Sequence, residues 1–331
     1  MLEKPNLEDE EIVAVLQNEY NLLIFSISFL PIGADLNTAV YHASTQDGSR
    51  YFVKLRSGKF DPLTVRIPDS LISQGMTCII PIIPTKSTQL WADLREYKLI
   101  LYPYIEGHDG YHRKMTAAQW FEFGSALKQL HSTRLPPEIL QAVRQEDFSS
   151  RWLHMVHEHL NRITTQPFDD PIAKELAAFL RSNYEITLTL VNRTAQFSRN
   201  VKKEVYPMVL CHGDIHGWNL LIDKDHLFIV DWDTLLLAPK ERDLMFIGAG
   251  IGDSGYSSSE ETKLFDRGYG KVEVDPNAIT YYRCNRILED IAIYCDQILL
   301  SDEGGQDREQ ALINLMSNYL PGSTIEAALG G

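Results

Sequence analysis

The sequence has few of the features that disulfide-rich, zinc-binding or membrane-spanning proteins need. Its 331 residues include four cysteines, which form no C-x-x-C pair and no zinc-like spacing. We therefore expect reduced thiols and a cytoplasmic location, because the acidic first residues do not resemble a secretory signal either. No apolar run approaches the roughly 18–20 residues that a membrane-spanning helix needs, so no membrane partner is expected.

An excess of positive charge is also missing. Lys and Arg number 31 against 45 Asp and Glu, which gives a formal net charge of −14. Nucleic-acid phosphates are bound by clustered Lys and Arg, so a nucleic-acid partner is not expected. An acidic balance instead favours a cationic small-molecule partner, although a solvated acidic surface is the commoner explanation.

The segment with most chemical information is VLCHGDIHGWNLLIDKDHLFIVDWD, at residues 209–233. Two short apolar runs, 220–222 and 227–230, flank turn-forming residues and predict an antiparallel hairpin. Asn219 precedes the first strand and Asp231 follows the second, so the hairpin brings both to the same end. An amide oxygen and a carboxylate placed there predict a site for a hard divalent cation such as Mg2+.

Asp214 precedes Asn219 by five residues, which is the D-x-x-x-x-N spacing of a kinase catalytic loop. In that chemistry one Asp accepts the proton of the attacking hydroxyl, while the Asn and a downstream Asp hold the metal. A surface turn explains any one of these residues, but together they predict a phosphotransferase with Asp214 as its catalytic base. We expect His212 to brace the loop, and His216 and Trp218 to serve packing or loop shape.

The run H-G-D-I-H-x-x-N at 212–219, followed by IVDWD at 229–233, resembles the aminoglycoside phosphotransferase and choline-kinase-like family. Residues 238–250 and 281–299 look closest to its spectinomycin phosphotransferase branch, and the resemblance covers almost the whole sequence. It implies an α+β, two-lobed protein-kinase-like fold with an antiparallel-sheet N-lobe and a mainly helical C-lobe. The implied boundaries are 1–103 for the nucleotide-binding lobe and 104–331 for the catalytic and substrate-binding lobe, with a helical insertion at about 137–205.

The N-terminal third predicts strand, loop, strand, turn and strand, with Lys54 in the third strand. In a kinase fold the first loop covers the nucleotide phosphates and a third-strand Lys pairs with them. The loop has no G-x-G-x-x-G pattern, so Asn37 and Thr38 are expected to supply polar contacts. Alternatively, the loop is an ordinary hairpin connection and Lys54 a solvated lysine that blocks edge pairing.

Two further nucleotide contacts follow from the resemblance. Lys54 needs a carboxylate partner on the next helix, and Asp61 is the candidate because Pro62 occupies the position of the related Glu. The segment after the last N-lobe strand corresponds to a hinge whose backbone hydrogen-bonds the adenine edge, unless it is merely a strand end. The expected hinge residues are Pro103, Tyr104 and Ile105.

The expected reaction transfers the γ-phosphoryl group of ATP, with GTP as an alternative, to a hydroxyl group in the presence of Mg2+. Asp243 either anchors the catalytic loop or is an acid of the substrate pocket. Other acids are expected to bind a cationic acceptor, or else to cap loops and form solvated faces. These candidate substrate acids are Asp233, Asp109, Glu289 and Asp290.

Three hypotheses describe the function. The first is an antibiotic kinase that acts on spectinomycin or a related aminocyclitol. The second is a metabolic kinase for an amino alcohol, a sugar or a homoserine-like substrate. The third is a non-catalytic nucleotide-binding protein, which the irregular Asp61–Pro62 region favours and the intact Lys54, Asp214, Asn219 and Asp231 oppose. A monomer or weak homodimer is expected.

Elsewhere, the pattern predicts a strand at Cys78–Pro84 and a capping box between Thr116 and Gln119. One long helix is expected to start at Asp170–Pro171 and to run past Val191. A final long helix is expected with Asn277 as its cap, and residues 248–255 are expected to be flexible.

Overall fold

The computed structural model of the protein describes residues 1–249, 255–301, 304–321 and 323–330. Most of the 248–255 segment, predicted to be flexible, therefore lies outside the described residues. The polypeptide forms two units that alternate along the sequence. Unit 1 comprises residues 1–143, 214–235 and 250–271, and unit 2 comprises 144–213, 236–249 and 272–331. The lobe boundary after residue 103 stays a prediction.

Unit 1 is built on a five-stranded sheet with the order β1-β2-β3-β5-β4, in which all neighbours are antiparallel. The alternation predicted for β3 is confirmed, because Val53 and Leu55 are fully buried and Lys54 points to the opposite face. An Asp47–Gly48 turn joins β2 to β3, and Gly48 has the positive φ that such a turn requires. The strands are β1 Ile24–Leu30, β2 Thr38–Thr45, β3 Arg50–Arg56, β4 Ala92–Leu94 and β5 Tyr97–Pro103.

A second sheet of unit 1 carries the predicted hairpin, with the order β6-β8-β9. Its strands are β6 His108–Asp109, β8 Leu220–Ile222 and β9 Leu227–Ile229. Leu220 pairs with Ile229, and the N–H of Val230 donates to the carbonyl of Asn219 at 3.0 Å. The backbone of Asn219 and the start of the Asp231 turn therefore lie at the same end of the hairpin, as predicted.

Two glycines allow the helices α3 and α9 of unit 1 to pack closely. A Cβ atom at Gly124 would lie 2.4 Å from the carbonyl oxygen of Phe265, and one at Gly268 would lie 2.0 Å from that of Phe121. The predicted capping box at the start of α3 is confirmed, because Thr116 and Gln119 exchange hydrogen bonds. The helices of this unit are α1 Asp9–Tyr20, α2 Leu63–Ser73, α3 Ala117–Ser132, α4 Pro137–Ala142 and α9 Ser258–Tyr269.

Unit 2 is mainly helical, and its core is formed by apolar faces of α5, α6, α7, α10 and α11. A short antiparallel pair, β7 Val209–Cys211 and β10 Leu236–Ala238, leads into the catalytic sequence. The helices of unit 2 are α5 Arg151–Thr165, α6 Pro171–Ser182, α7 Tyr184–Val201, α8 Glu241–Leu244, α10 Pro276–Leu299, α11 Gly305–Ser317 and α12 Thr324–Gly330. The predicted α+β architecture, with an antiparallel N-terminal sheet and a mainly helical C-terminal part, is confirmed. No helix within the described ranges has the length and apolar character needed to cross a membrane.

Three element predictions are wrong. The long helix after Asp170 is interrupted at Asn183, whose side-chain amide and N–H both bond the carbonyl of Phe179. Residues 78–84 are not a strand, because two prolines remove ladder donors and only isolated bonds such as Ile83 N–H to Leu101 O remain. The helix α10 is capped by Asp275 rather than by Asn277, and α11 and α12 follow it.

Candidate active site

The site is organised around the ammonium group of Lys54. It lies 3.0 Å from Oδ1 of Asp231 and 2.8 Å from Oδ2 of Asp233, and the lysine side chain is only 12% exposed. Burial alone would lower the pKa of Lys54, but the two carboxylates outweigh it and the pKa is raised. The raised pKa favours the ammonium form of Lys54.

Asp233 connects Lys54 to a second cation, Arg56, whose Nη1 lies 3.4 Å from the same carboxylate oxygen. The pKa of Asp233 is raised, because burial and the neighbouring Asp231 carboxylate outweigh the attraction of Lys54 and Arg56. This acid, predicted to contact a cationic substrate, thus contacts two cations of the protein itself.

Arg56 extends the contacts to the loop before β2. It pairs with the carboxylate of Asp35 and donates to the hydroxyl of Thr38. Asp35 also accepts the Asn37 N–H at 2.9 Å and the Thr38 hydroxyl at 2.8 Å. Burial would raise the pKa of Asp35, but these bonds and Arg56 hold it below its usual value.

Asn37 and Thr38, the predicted phosphate contacts, are therefore held by an aspartate that the sequence analysis missed. The D-x-N-T order at residues 35–38 could have predicted this contact, because an Asp side chain readily accepts a hydrogen bond from the backbone N–H two residues ahead. We call the connected residues the ion-pair network: Asp35, Arg56, Asp233, Lys54 and Asp231.

The predicted pair of Lys54 with Asp61 does not form. Asp61 instead accepts the N–H of Leu63, the first residue of α2, at 3.0 Å. The reason is local, because Pro62 begins the helical turn and leaves Asp61 at the position where a carboxylate satisfies a helix N–H. A role for Asp61 in binding nucleotide has no support from these contacts.

The catalytic segment, residues 212–219, joins the predicted base to a predicted metal ligand. Asn219 donates its amide N–H to the carbonyl of Asp214 at 2.9 Å, so its amide oxygen is the atom suited to a cation. Oδ2 of Asp214 lies 3.2 Å from Nε2 of His216. His216 therefore contacts the predicted base directly, which is more than the packing role that its sequence position suggested.

Asp231 has left-handed backbone angles, φ 63° and ψ 65°. Such a conformation is strained for most side chains and is tolerated best by Gly, Asn and Asp. It is held by the neighbouring buried Trp232, whose indole N–H donates to the carbonyl of Ile229 at 3.0 Å. The turn leaves the Asp231 side chain half exposed, in contact with Lys54.

Within unit 2, Asp243 accepts the N–H groups of His212 at 2.9 Å and Gly213 at 2.8 Å. Arg242 donates to the carbonyl of Gly213 at 2.8 Å, and Gly213 has a φ of +89°. Of the two roles proposed for Asp243, the anchor is confirmed. It fixes the backbone immediately before Asp214.

The remaining substrate acids are occupied by other contacts. On α10 of unit 2, Glu289 lies 3.8 Å from Arg242, and Asp290 pairs with Arg286 one turn away. In unit 1, Asp109 accepts the N–H of Tyr111 and of His112. Their binding of a cationic acceptor stays a prediction.

The hinge candidates differ in the groups that they can offer. Pro103 has no N–H and ends β5, while the N–H of Tyr104 donates to the carbonyl of Arg50 at 3.0 Å. Among the three, Ile105 is left as the residue whose N–H could reach an adenine edge.

The oxygen donors of the site suit a hard divalent cation, since Asn219 offers an amide oxygen and Asp231 a carboxylate. The ion-pair network contains three acids and two cations, so its formal net charge is negative. These residues therefore fit a metal that accompanies a polyphosphate.

Comparison with known proteins finds phosphotransferases. A model described as the phosphotransferase enzyme family matches residues 28–271. A solved spectinomycin phosphotransferase, APH(9)-Ia, in complex with ADP and spectinomycin, is 32% identical, with a TM-score of 0.90 and 98% of each chain covered. A search of curated proteins finds no match.

More distant structures share the fold. An amicoumacin kinase in complex with AMP-PNP and Ca2+ is 13% identical with a TM-score of 0.62, and 98% of each chain is covered. A choline kinase from Streptococcus pneumoniae is 14% identical with a TM-score of 0.56, covering 98% of this chain and 99% of that one. The expected protein-kinase-like fold is thereby confirmed. The matched residues 28–271 contain the whole ion-pair network and the catalytic segment, and the chain accordingly belongs to the phosphotransferase enzyme family, as an ATP-dependent phosphotransferase with an alcohol group as acceptor.

Proposed function

We propose that the protein transfers the γ-phosphoryl group of Mg-ATP to a hydroxyl of an aminocyclitol such as spectinomycin. The observation that carries this proposal is the 32% identity, over 98% of both chains, to a phosphotransferase whose structure contains spectinomycin. The acidic balance of the sequence and the surplus of carboxylates at the site are compatible with a cationic acceptor.

In this reaction Asp214 orients the acceptor hydroxyl and takes its proton as the oxygen attacks phosphorus. The new O–P bond forms while the bond from the γ-phosphorus to the ADP oxygen breaks. His216, at 3.2 Å from the carboxylate, restricts the orientation of Asp214. The bond from Asn219 to the Asp214 carbonyl keeps the base and the metal-binding residue in a fixed relation. Such positioning accounts for much of the catalysis in phosphoryl transfer.

Lys54 has a role that requires an exchange of partners. Nucleotide phosphates compete with Asp231 for its ammonium group, and Asp233 can keep its contact at 2.8 Å during the exchange. The freed Asp231 carboxylate would then hold Mg2+ together with Asn219. The metal would neutralise charge on the transferring phosphoryl group.

The test is a coupled ADP-release assay with Mg-ATP and a panel of acceptors that contains aminocyclitols, amino alcohols, sugars and homoserine. We expect the highest kcat/KM with spectinomycin, and a product heavier by one phosphoryl group in mass spectrometry. A higher kcat/KM with an amino alcohol or sugar would contradict the aminocyclitol assignment and favour a metabolic kinase. Nucleotide binding without turnover of any acceptor would favour the non-catalytic hypothesis.

A further inference from the structure

An exposed aromatic surface lies beside the catalytic segment. The rings of Tyr111 and Trp218 have centroids 4.9 Å apart, and His112 packs edge-on against the indole at 5.5 Å. Trp218 is 57% exposed and Tyr111 is 40% exposed. We call these three residues the aromatic ledge. Trp218 stands directly before Asn219 and four residues after Asp214, so one face of the ledge belongs to the catalytic segment itself.

The backbone fixes the two halves of the ledge against each other. The N–H of Gly110 donates to the carbonyl of Gly217 at 2.8 Å. A Cβ atom at Gly110 would lie 3.1 Å from Cα of Gly217, which is too close for an ordinary contact. A side chain at position 110 would therefore push the Tyr111 segment and the Trp218 turn apart by a few tenths of an ångström.

Asp109 holds the other half in place. Oδ1 accepts the N–H of Tyr111 at 2.9 Å and of His112 at 3.1 Å, and Oδ2 lies 2.7 Å from Nδ1 of His112. Burial would raise the pKa of Asp109, but these bonds lower it, so the carboxylate stays ionised. The predicted substrate acid thus acts on the orientation of the ledge.

A large exposed indole held by this many contacts is not explained by core packing. Ordered aromatic surfaces that remain exposed are typical of binding sites, because a ligand removes them from water without any cost of reorganisation. The face of an indole attracts ammonium groups and the polarised C–H bonds of a saturated ring. An aminocyclitol presents both.

We propose that the aromatic ledge is the acceptor subsite, where the saturated ring of the substrate stacks on Trp218 with an ammonium group over an aromatic face. This inference rests on the proposed function and adds the chemical basis for acceptor recognition. Trp218 is then a specificity-determining residue, and Gly110 and Asp109 are positioning residues. The proposal places the acceptor beside the catalytic segment, in which Asp214 stands four residues before Trp218.

The test compares Trp218→Ala and Trp218→Phe with the wild-type protein in steady-state assays with Mg-ATP and spectinomycin. In Trp218→Ala, KM for spectinomycin should rise about tenfold, the scale of one cation–π or stacking contact, while KM for ATP changes less than about twofold. Trp218→Phe should recover most of the loss. The matched control is Phe121→Ala, which removes an aromatic side chain of unit 1 that is 52% exposed on α3.

A second readout does not need turnover. Spectinomycin added without nucleotide should quench tryptophan fluorescence of the wild-type protein, and the quenching should disappear in Trp218→Phe, which still binds by calorimetry. If the wild-type protein phosphorylates spectinomycin and Trp218→Ala leaves the spectinomycin KM unchanged, the acceptor-subsite proposal is overturned and the proposed function stands. If Trp218→Ala raises only the KM for ATP, the ledge stacks on the nucleotide base, and the acceptor-subsite proposal is again overturned. Absence of wild-type turnover would overturn the proposed function, and with it the ligand named here.

Discussion

The ion-pair network and the aromatic ledge both adjoin the residues that carry the chemistry, the network through Asp231 and the ledge through Trp218. In the network the ion pairs join opposite charges, and Lys54 is largely shielded from water. In the ledge the rings stay exposed, and backbone contacts at Gly110 and capping by Asp109 set their positions.

Under the proposed function, this difference corresponds to the two substrates. A polyphosphate with its metal has to displace existing ion pairs, since a buried charge without a partner is costly. An aromatic surface needs no such exchange. Substitutions in the network should therefore change nucleotide binding and stability together, whereas those in the ledge should change acceptor binding alone. The following predictions test that division, from the largest effect to the smallest.

Asp214→Asn should give the largest loss, because it removes the proposed base that takes the proton of the acceptor hydroxyl. We expect kcat to fall by about 10²–10⁴-fold, the usual contribution of a positioned acid–base group. Nucleotide affinity measured by calorimetry should stay within about twofold of wild type, since the proposed role of Asp214 is toward the acceptor hydroxyl and not toward the nucleotide phosphates. Near-normal turnover would remove Asp214 from the role of base.

Asp231→Asn should keep the backbone turn, because Asn tolerates left-handed angles as well as Asp does. It removes the charge that pairs with Lys54 and that is proposed to bind the metal, so kcat should fall on the order of a hundredfold and more Mg2+ should be required for half-maximal rate. Asp225→Asn, in the exposed turn of the same hairpin, is the matched control. An unchanged Mg2+ requirement would place the metal elsewhere.

Lys54→Met should raise KM for ATP by about tenfold, as expected when a charge-assisted contact is lost. It also leaves Asp231 and Asp233 together without their shared cation, so the variant should unfold at a lower temperature at neutral pH. The pKa of Asp233, already raised, should rise further. Since a raised acid pKa favours the folded state at low pH, the stability difference from wild type should shrink as the pH falls from neutral into the acidic range. Thermal melts over this range measure it, and a difference that grows on acidification would contradict the pairing.

Asp35→Ala should have the smallest effect. Loss of the bonds that order Asn37 and Thr38 should raise KM for ATP by about fivefold, the worth of roughly one hydrogen bond, with little change in spectinomycin KM. The pKa of Asp35 is lowered, so its contribution to stability is present above its unfolded pKa and is lost as the pH falls through the folded value. Melting temperatures of variant and wild type should therefore converge in acid.

Asp47→Ala is the control for this last variant, since Asp47 orders the β2–β3 turn in a similar way without touching the network. An equal rise in KM for ATP in both variants would show that general loosening of the sheet, and not the Asp35–Arg56 contact, is responsible.

Local sequence patterns were sufficient to predict the hairpin at residues 220–230 and the strand β3. The D-K-D turn between two apolar runs determined which ends meet, and alternation assigned Lys54 to the face opposite Val53. The partner of Lys54 was missed because ion pairs between residues more than 170 positions apart leave no periodic trace in a sequence. Asp61 was chosen by analogy of position, and Pro62 had already given it a capping role.

The aromatic ledge could not have been predicted for a different reason. Nothing in the run Gly110–Tyr111–His112 distinguishes it from an ordinary polar connection. The sequence position of Trp218 suggests a packing role, and only the structure shows that its side chain is exposed. The two segments are joined by the pairing of β6 with β8 and by the approach of Gly110 to Gly217, and a glycine in a loop carries many alternative explanations.

The left-handed turn at Asp231 limits which replacements can keep both the backbone conformation and the negative charge at that position. Glu would keep the negative charge, but a longer side chain is poorly tolerated at these backbone angles. Asn or Gly would keep the backbone and abolish the charge. No single replacement preserves both, so in a saturation library every substitution at codon 231 should score as inactive, while some of those same proteins still fold.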